Sequence, residues 1–302
     1  DDWDQVFYRP TFLALKNSFG IFLCQGALVL PLALIIGVIS ALFNYPFRRI
    51  SLILSLLPVV LPSFITAIGI QSLNRFLPYD KMSLIDGFWG SVWTGVVIAF
   101  PLATIGTFFA VKSITKSELE SLFQLGGSSL LLKYVLGRVL PSTLSCVCLA
   151  GLLGLSDFVI SNIMGFHGIS SEIQISFAAK FNFVLASAKA LFLLTLTLPL
   201  FWFIYRCFPK RISPSQDQIH NFQPVTLPFW RGSACSIIQL LICMAGTIVM
   251  IIGLIHPLLK PNSKVYFEIV WGRYVDSLGL TLFYGMGSGI VATLLGFFVS
   301  SY

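Results

Sequence analysis

The residues able to do chemistry in this chain are few, and the densest group lies in one stretch, "SELESLFQLGGSSLLLKYVLGRVLP", residues 117–141. Glu118, Glu120, Lys133 and Arg138 stand there among serines and glycines, inside a chain that is otherwise oily. Leu119, Leu122, Phe123 and Leu125 recur at about helical spacing, with Glu118, Glu120 and Gln124 as the polar remainder. That pattern predicts a short amphipathic helix. Gly126-Gly127-Ser128-Ser129 is expected to break it, and a second piece is expected to run to Leu140-Pro141. Such a helix suits docking rather than catalysis. It can lie at a lipid interface or press its apolar knobs into a partner's groove.

Asp157, in "GLLGLSDFVISNIMG", is the only acidic residue well inside an apolar run. An ionisable group there costs about 2.5–3.5 kcal/mol on insertion scales, so it needs a wet cavity or a partner. Two readings stay open: a place in a solute path, or a structural hydrogen bond, with Ser161 and Asn162 as polar company. His167 in "GFHG" reads as a loop-end histidine, and Lys189 as a side chain that snorkels to the interface. The six cysteines lie within or at the ends of apolar runs. Cys146 and Cys148 lack partner histidines and read as packing residues rather than a metal pair. No carboxylate pair, Ser-His-Asp set or metal cluster stands out, so neither an enzyme nor a cofactor is expected. The G-x-x-x-x-G-K-[ST] phosphate loop is missing from the sequence, so this chain is not expected to bind or hydrolyse ATP.

What must position these residues is a set of apolar helices. The 302 residues are 56% hydrophobic and only 10% charged, against about 25% charged in a soluble domain. The mean hydropathy is +0.89. The solvent is a bilayer, and membrane lipid is the first partner. The net charge of +7 is spread over loops and forms no basic stripe for nucleic acid. A helix needs about 20 apolar residues to cross the hydrocarbon core. Seven runs qualify: 18–43, 50–73, 88–111, 142–164, 183–205, 233–258 and 275–301. The fold class is therefore all-α, a polytopic membrane helix bundle of about seven transmembrane helices. Pro31, Pro58, Pro62, Pro101 and Pro199 fall inside these runs, where neighbouring helices can satisfy the freed carbonyls. Pro58 and Pro62 stand one turn apart and should bend the second run, as a packing kink or as a gating hinge. The basic loop "NYPFRR" (44–49) leans toward a cytoplasmic placement, shared by 112–141 and 206–232. The last of these, with its three central prolines, reads as a linker between two halves.

Those halves resemble each other. Laying 17–37 on 276–296 matches Ser18 with Ser277, Gly20 with Gly279, Gly26 with Gly285 and Gly37 with Gly296. "VFY" (6–8) meets "VYF" (265–267) upstream. A duplicated membrane protein is the expectation. Its first unit, 1–208, would lack its opening helix. A cytoplasmic linker would follow at 209–232, and 233–302 would be a truncated second unit.

With these features in view, the chain resembles the permease subunits of binding-protein-dependent ABC importers. Their signature loop has the form E-A-A-x3-G-x9-I-x-L-P. Glu120 and Gly126 keep its first interval, and Leu140-Pro141 its ending. Ser121 and Leu122 replace the alanines, and the interval from Gly126 to Pro141 is longer than in the family. "YPFRRISLILSLLPVVLPSFITAIGI" (45–70), "GFWGSVWTGVVIAFPLATIGTFFAVKSI" (87–114) and "SSEIQISFAAKFNFVLASAKALFLL" (170–194) are similar to the family's flanking segments, most closely in fused permeases for ferric iron and thiamine. The resemblance implies a type I importer permease of the bacterial plasma (inner) membrane, a cytoplasmic ABC ATPase dimer as motor, and a periplasmic or surface-tethered solute-binding protein. It also implies that Glu118, Glu120, Leu122, Phe123, Gly126, Gly127, Leu140 and Pro141 form the ATPase-coupling loop. There the glutamates would meet basic ATPase residues or cap the helix, and the glycines would make the turn. Asp157 and Asn162 are the candidates for the translocation path. An ion-coupled secondary transporter and a membrane scaffold without transport are the alternatives.

Overall fold

The computed structural model describes residues 9–76, 84–114, 116–207 and 263–300, together with 225–226 and isolated helical positions between 233 and 255. The described chain is almost wholly helical, and it falls into two units, residues 1–253 and 254–302.

The first unit opens with α1 (Arg9–Leu42), a 34-residue helix that is apolar on every face. At 1.5 Å per residue it is about 50 Å long, more than the hydrocarbon thickness of about 30 Å. A two-residue strand β1 (Phe43–Asn44) ends it. Three short helices follow: α2 (Arg48–Ser55), α3 (Leu57–Val60) and α4 (Ser63–Ser72). Then come α5 (Gly87–Lys112) and the 41-residue α6 (Lys116–Ser156). Beyond it lie α7 (Phe158–Ile163), α8 (Ile169–Gln174), a π-turn at Ile175–Ala179 and α9 (Phe183–Cys207). Strand β2 (Val225–Thr226), inside the expected linker, pairs in parallel with β1. The rest of the 209–232 linker lies outside the described residues.

Helices α1, α5 and α6 form the core. Val29, Ala33 and Ile36 of α1 interlock with Val92, Val96, Ala99, Phe100 and Ala103 of α5 and with Val147 and Ala150 of α6. Within lipid, helices gain little by hiding apolar surface from one another, so close backbone approach and interhelical hydrogen bonds must hold them. Both are present. Gly37 lies under Thr107, Gly106 under Cys146 and Gly151 under Phe22, where a β-carbon would collide. Thr107 and Thr143, both fully buried, share a 2.8 Å hydrogen bond between α5 and α6. One hydroxyl donates to the other, and the accepting one spends its own proton on a carbonyl one turn back, Thr107 on Ala103 O or Thr143 on Val139 O. A buried threonine thereby leaves no unpaired polar atom in hydrocarbon.

Five described helices are long and apolar enough to cross a membrane: Arg9–Leu42, Gly87–Lys112, Lys133–Ser156, Phe183–Cys207 and Gly279–Phe297. They make the chain a multi-pass membrane protein. The expected second run, 50–73, is not one straight span. It breaks at Leu61-Pro62, and its two parts meet at 97°. Pro62 has no N–H for the preceding turn and forces Leu61 into extended backbone, so the chain turns where the prolines were expected to bend it. The expected fourth run, 142–164, is corrected as well. The helix that carries it ends at Ser156, and the chain breaks at Asp157 rather than running on to 164. The sixth run, 233–258, lies mostly outside the described residues.

The second unit is a single described helix, α10 (Ser263–Ser300). The glycines it shares with α1 have defined work in α1. Gly20 sits beneath Phe88, Gly26 against Val147 and Gly37 against Thr107.

Candidate functional site

Two ends of the first unit differ in chemistry. At one end, the last turns of α1 and α5 and the start of the crossing part of α6 meet through Val38, Ala41, Ala110, Val111, Val135 and Val139. Arg48, Arg49, Lys112, Lys133 and Arg138 belong to this end. Arg48 donates from Nη1 to the carbonyl of Phe43 at 3.1 Å, tying α2 to the end of α1. Lys112 lies 5.5 Å from the centre of the Phe108 ring. The proposed coupling stretch starts here, and its expected break is absent. The backbone is helical from Lys116 through Gly126-Gly127 and Pro141 to Ser156. A helical glycine costs only about 1 kcal/mol relative to alanine, and leucines on both sides favour helix. Glu118 is half-buried, and Ser121 and Gln124 are exposed. The side chains of Glu120, Leu122 and Phe123 lie outside the described residues. Leu140 and Pro141 are exposed on the helix surface, and Arg138 with them.

The other end is built from broken helices. Asp157 interrupts α6 with extended backbone, and its Oδ1 accepts from the N–H groups of Val159 at 2.8 Å and Ile160 at 3.4 Å. This is an N-cap, the arrangement that satisfies the first free donors of a helix. Asn162 is exposed and donates to Gln174 Oε1 at 2.7 Å, joining α7 to α8. Helix α7 closes at Gly165, whose φ of +65° suits glycine. There Gly165 N–H reaches Asn162 O and Phe166 N–H reaches Ser161 O, a Schellman ending. The broken segment is pinned to its neighbours through backbone groups. Gln71 Nε2 donates to Ile163 O at 2.8 Å, Gly87 N–H to Met164 O at 2.8 Å, and Asn17 Nδ2 to His167 O at 3.1 Å.

Sequence reasoning missed the charged centre of this end. Lys189 does not snorkel. It is 2% exposed, and its Nζ donates to Glu172 Oε1 at 2.8 Å and to Ser176 Oγ at 3.0 Å. His167 Nε2 meets the other carboxylate oxygen, Oε2, at 2.8 Å. Glu172 thus ties the α7–α8 turn to α9 from its place on α8. Burial on its own pushes this carboxyl upward. The hydrogen bond and charge of Lys189, then those of His167, overcome burial and hold it below the usual carboxylate range. The available signal was charge balance: the one lysine inside the fifth run calls for an acid, and Glu172 is the acid close ahead of it. Among the described residues, no group of three or more His, Cys, Asp or Glu gathers to hold a metal ion. Cys24, Cys146, Cys148 and Cys207 are free thiols.

A large open cavity of about 1020 Å³ lies between the end of α6, α8 with its π-turn, and α9. Leu149, Leu153, Phe177, Phe183, Leu194 and Phe201 are among its walls, and Ser156, Ser170, Gln174, Ser187 and Thr197 supply the few polar groups. No known protein family matches the chain, and no curated protein matches it.

Proposed function

We propose that the chain is the membrane-embedded permease unit of a binding-protein-dependent ABC importer in a bacterial plasma membrane. On this reading it forms part of a solute path and is moved by a separate ATPase that grips residues 117–141. The observation that carries the reading is the form of α6. At 41 residues it is about 60 Å long, about twice the hydrocarbon thickness. Its N-terminal part, which carries Glu118, Glu120, Lys133 and Arg138, is therefore read as an arm continuous with a crossing helix. The arm stands at the end that gathers Arg48, Arg49, Lys112, Lys133 and Arg138, and the positive-inside bias assigns such an end to the cytoplasm. A force on the arm reaches the bundle through Val135 and Val139, which pack against Val38 and Ala41 of α1 and Val111 of α5. Ferric iron or thiamine is the solute suggested by the resemblance alone, with capture left to a binding protein outside the membrane.

The test is co-purification of the chain with candidate ATPase subunits, wild type beside Glu120→Ala and Gly126→Pro. Association that is lost in both variants supports the coupling arm. If no ATPase binds and neither change matters, the reading fails. An ion-driven carrier is the second reading, favoured by the buried Glu172–Lys189 pair. Uptake that follows a proton or sodium gradient with no ATPase present would decide for it.

A further inference from the structure

Gln25, in the middle of α1, is a polar group that the bundle leaves without a described partner. It is 4% exposed, and its amide makes no hydrogen bond to another described residue. An amide in that position borders the pocket instead of being sealed in protein, and it favours a polar occupant there. The helices make room for it. Gly95 of α5 and Gly154 of α6 flank the amide, and a β-carbon at Gly95 would overlap Oε1. Gln25 faces a small pocket of about 20 Å³, shared with Ser18, Ser161, Ser170, Gly151 and Gly154. That is space for about one water or one bare ion.

The pocket gathers oxygen. Ser18 Oγ accepts from Ile169 N–H at 2.9 Å and keeps a second lone pair. The hydroxyls of Ser161 and Ser170, both buried, make no hydrogen bond to a described residue. Gly168 brings two of the hydroxyls together, since a β-carbon there would lie 3.0 Å from both Ser18 Oγ and Ser161 Oγ. The pocket also adjoins Gly151, Gly154 and Leu155 in the last turns of α6, just before the helix stops at Ser156. The carbonyl end of a helix carries partial negative charge and favours cations. Broken membrane helices place ion sites in this way, with unwound backbone and carbonyl ends facing the ion. A divalent ion would carry two charges into a site whose side-chain ligands are all neutral, and Glu172, the carboxylate of α8, is already engaged by Lys189 and His167.

We propose that this pocket binds one dehydrated monovalent cation, ligated by Gln25 Oε1 and the hydroxyls of Ser18, Ser161 and Ser170. The ion would fasten the broken α7–α8 segment to α1 and α6. This goes beyond the permease reading and does not need it, because its readout is stability in the absence of any ATPase.

The experiment is thermal unfolding of the purified full chain in nanodiscs, titrated with NaCl, KCl or LiCl while choline chloride holds ionic strength constant. The expected result is a saturable rise in Tm with one of the small cations, as mass action requires of a ligand that binds only the folded state. Ser161→Ala and Ser170→Ala should each raise the half-saturating concentration on the order of ten-fold, the effect of one lost ligand to a charge. Gln25→Leu should abolish the response. Should that variant fail to fold, the two serine variants decide. Equal Tm values in all four salts mean that the pocket holds water alone and overturn the proposal. So does a cation response that both serine variants leave unchanged.

Discussion

Glu172 and Lys189 are a charge pair in which neither partner tolerates the loss of the other. Two ions taken out of water repay their lost hydration only through close contact, and removing one strands its partner. Glu172→Gln should therefore destabilise the protein by about 3–5 kcal/mol, whereas Glu172→Leu combined with Lys189→Met should restore most of the loss. Chemical or thermal unfolding in detergent measures both. The pair also sets a pH dependence whose sign follows from its chemistry. The folded carboxyl titrates below its unfolded value of about 4.3, so the unfolded chain binds more protons in between. The stabilisation is complete above the unfolded value and fades as pH falls through the folded one. Wild type should lose Tm steeply below about pH 4, and Glu172→Gln should lack that component of the loss. From the sequence, Lys189 looked free because a lone lysine near a span end can reach water. Its acid lies on another helix, and only the fold brings the two together.

At the scale of the elements, apolar runs were legible and their interruptions were not. Run length and hydropathy located α1, α5, α9 and most of α10, because bilayer thickness sets how long such helices must be. The prolines of the second run announced a bend. Asp157 gave no warning of a break, since its neighbours on both sides are apolar and read as one continuous helix. The glycines at 126–127 misled in the opposite direction, because two helix-weakening residues do not end a helix whose flanks favour it. Asp157 now has a defined task as the cap of α7, and a prediction separates that task from a place in the solute path. Asp157→Asn keeps the acceptor and should leave stability nearly unchanged. Asp157→Ala should cost about 0.5–2 kcal/mol. If Asn destabilises as much as Ala, the charge itself matters and capping is an incomplete account.

For the molecule as a whole, the two ends of the first unit make sidedness measurable. Helix α5 carries the chain from Gly87 to Lys112, about 39 Å at the helical rise, so Leu84 and Ser121 belong to opposite ends. Both are exposed. In whole cells, a membrane-impermeant thiol reagent should label Leu84→Cys from outside and reach Ser121→Cys only after the cells are opened. The reverse pattern would put the basic end outside and remove the arm of α6 from any cytoplasmic motor. The weak charge asymmetry of the sequence left this orientation nearly undecided, while the packing of α1, α5 and α6 concentrates five of the basic residues at one end.

The Glu172–Lys189 contact also bears on how the protein enters the membrane. Chains are made from the N-terminus, so Glu172 leaves the ribosome before Lys189. A lysine inside an inserting helix is penalised, by up to about 2.5–3.5 kcal/mol at the helix centre, and an acid already beside it offsets part of that penalty. Helix α9 is therefore expected to meet a counter-charge that α8 already carries, so that the order of synthesis favours the pairing.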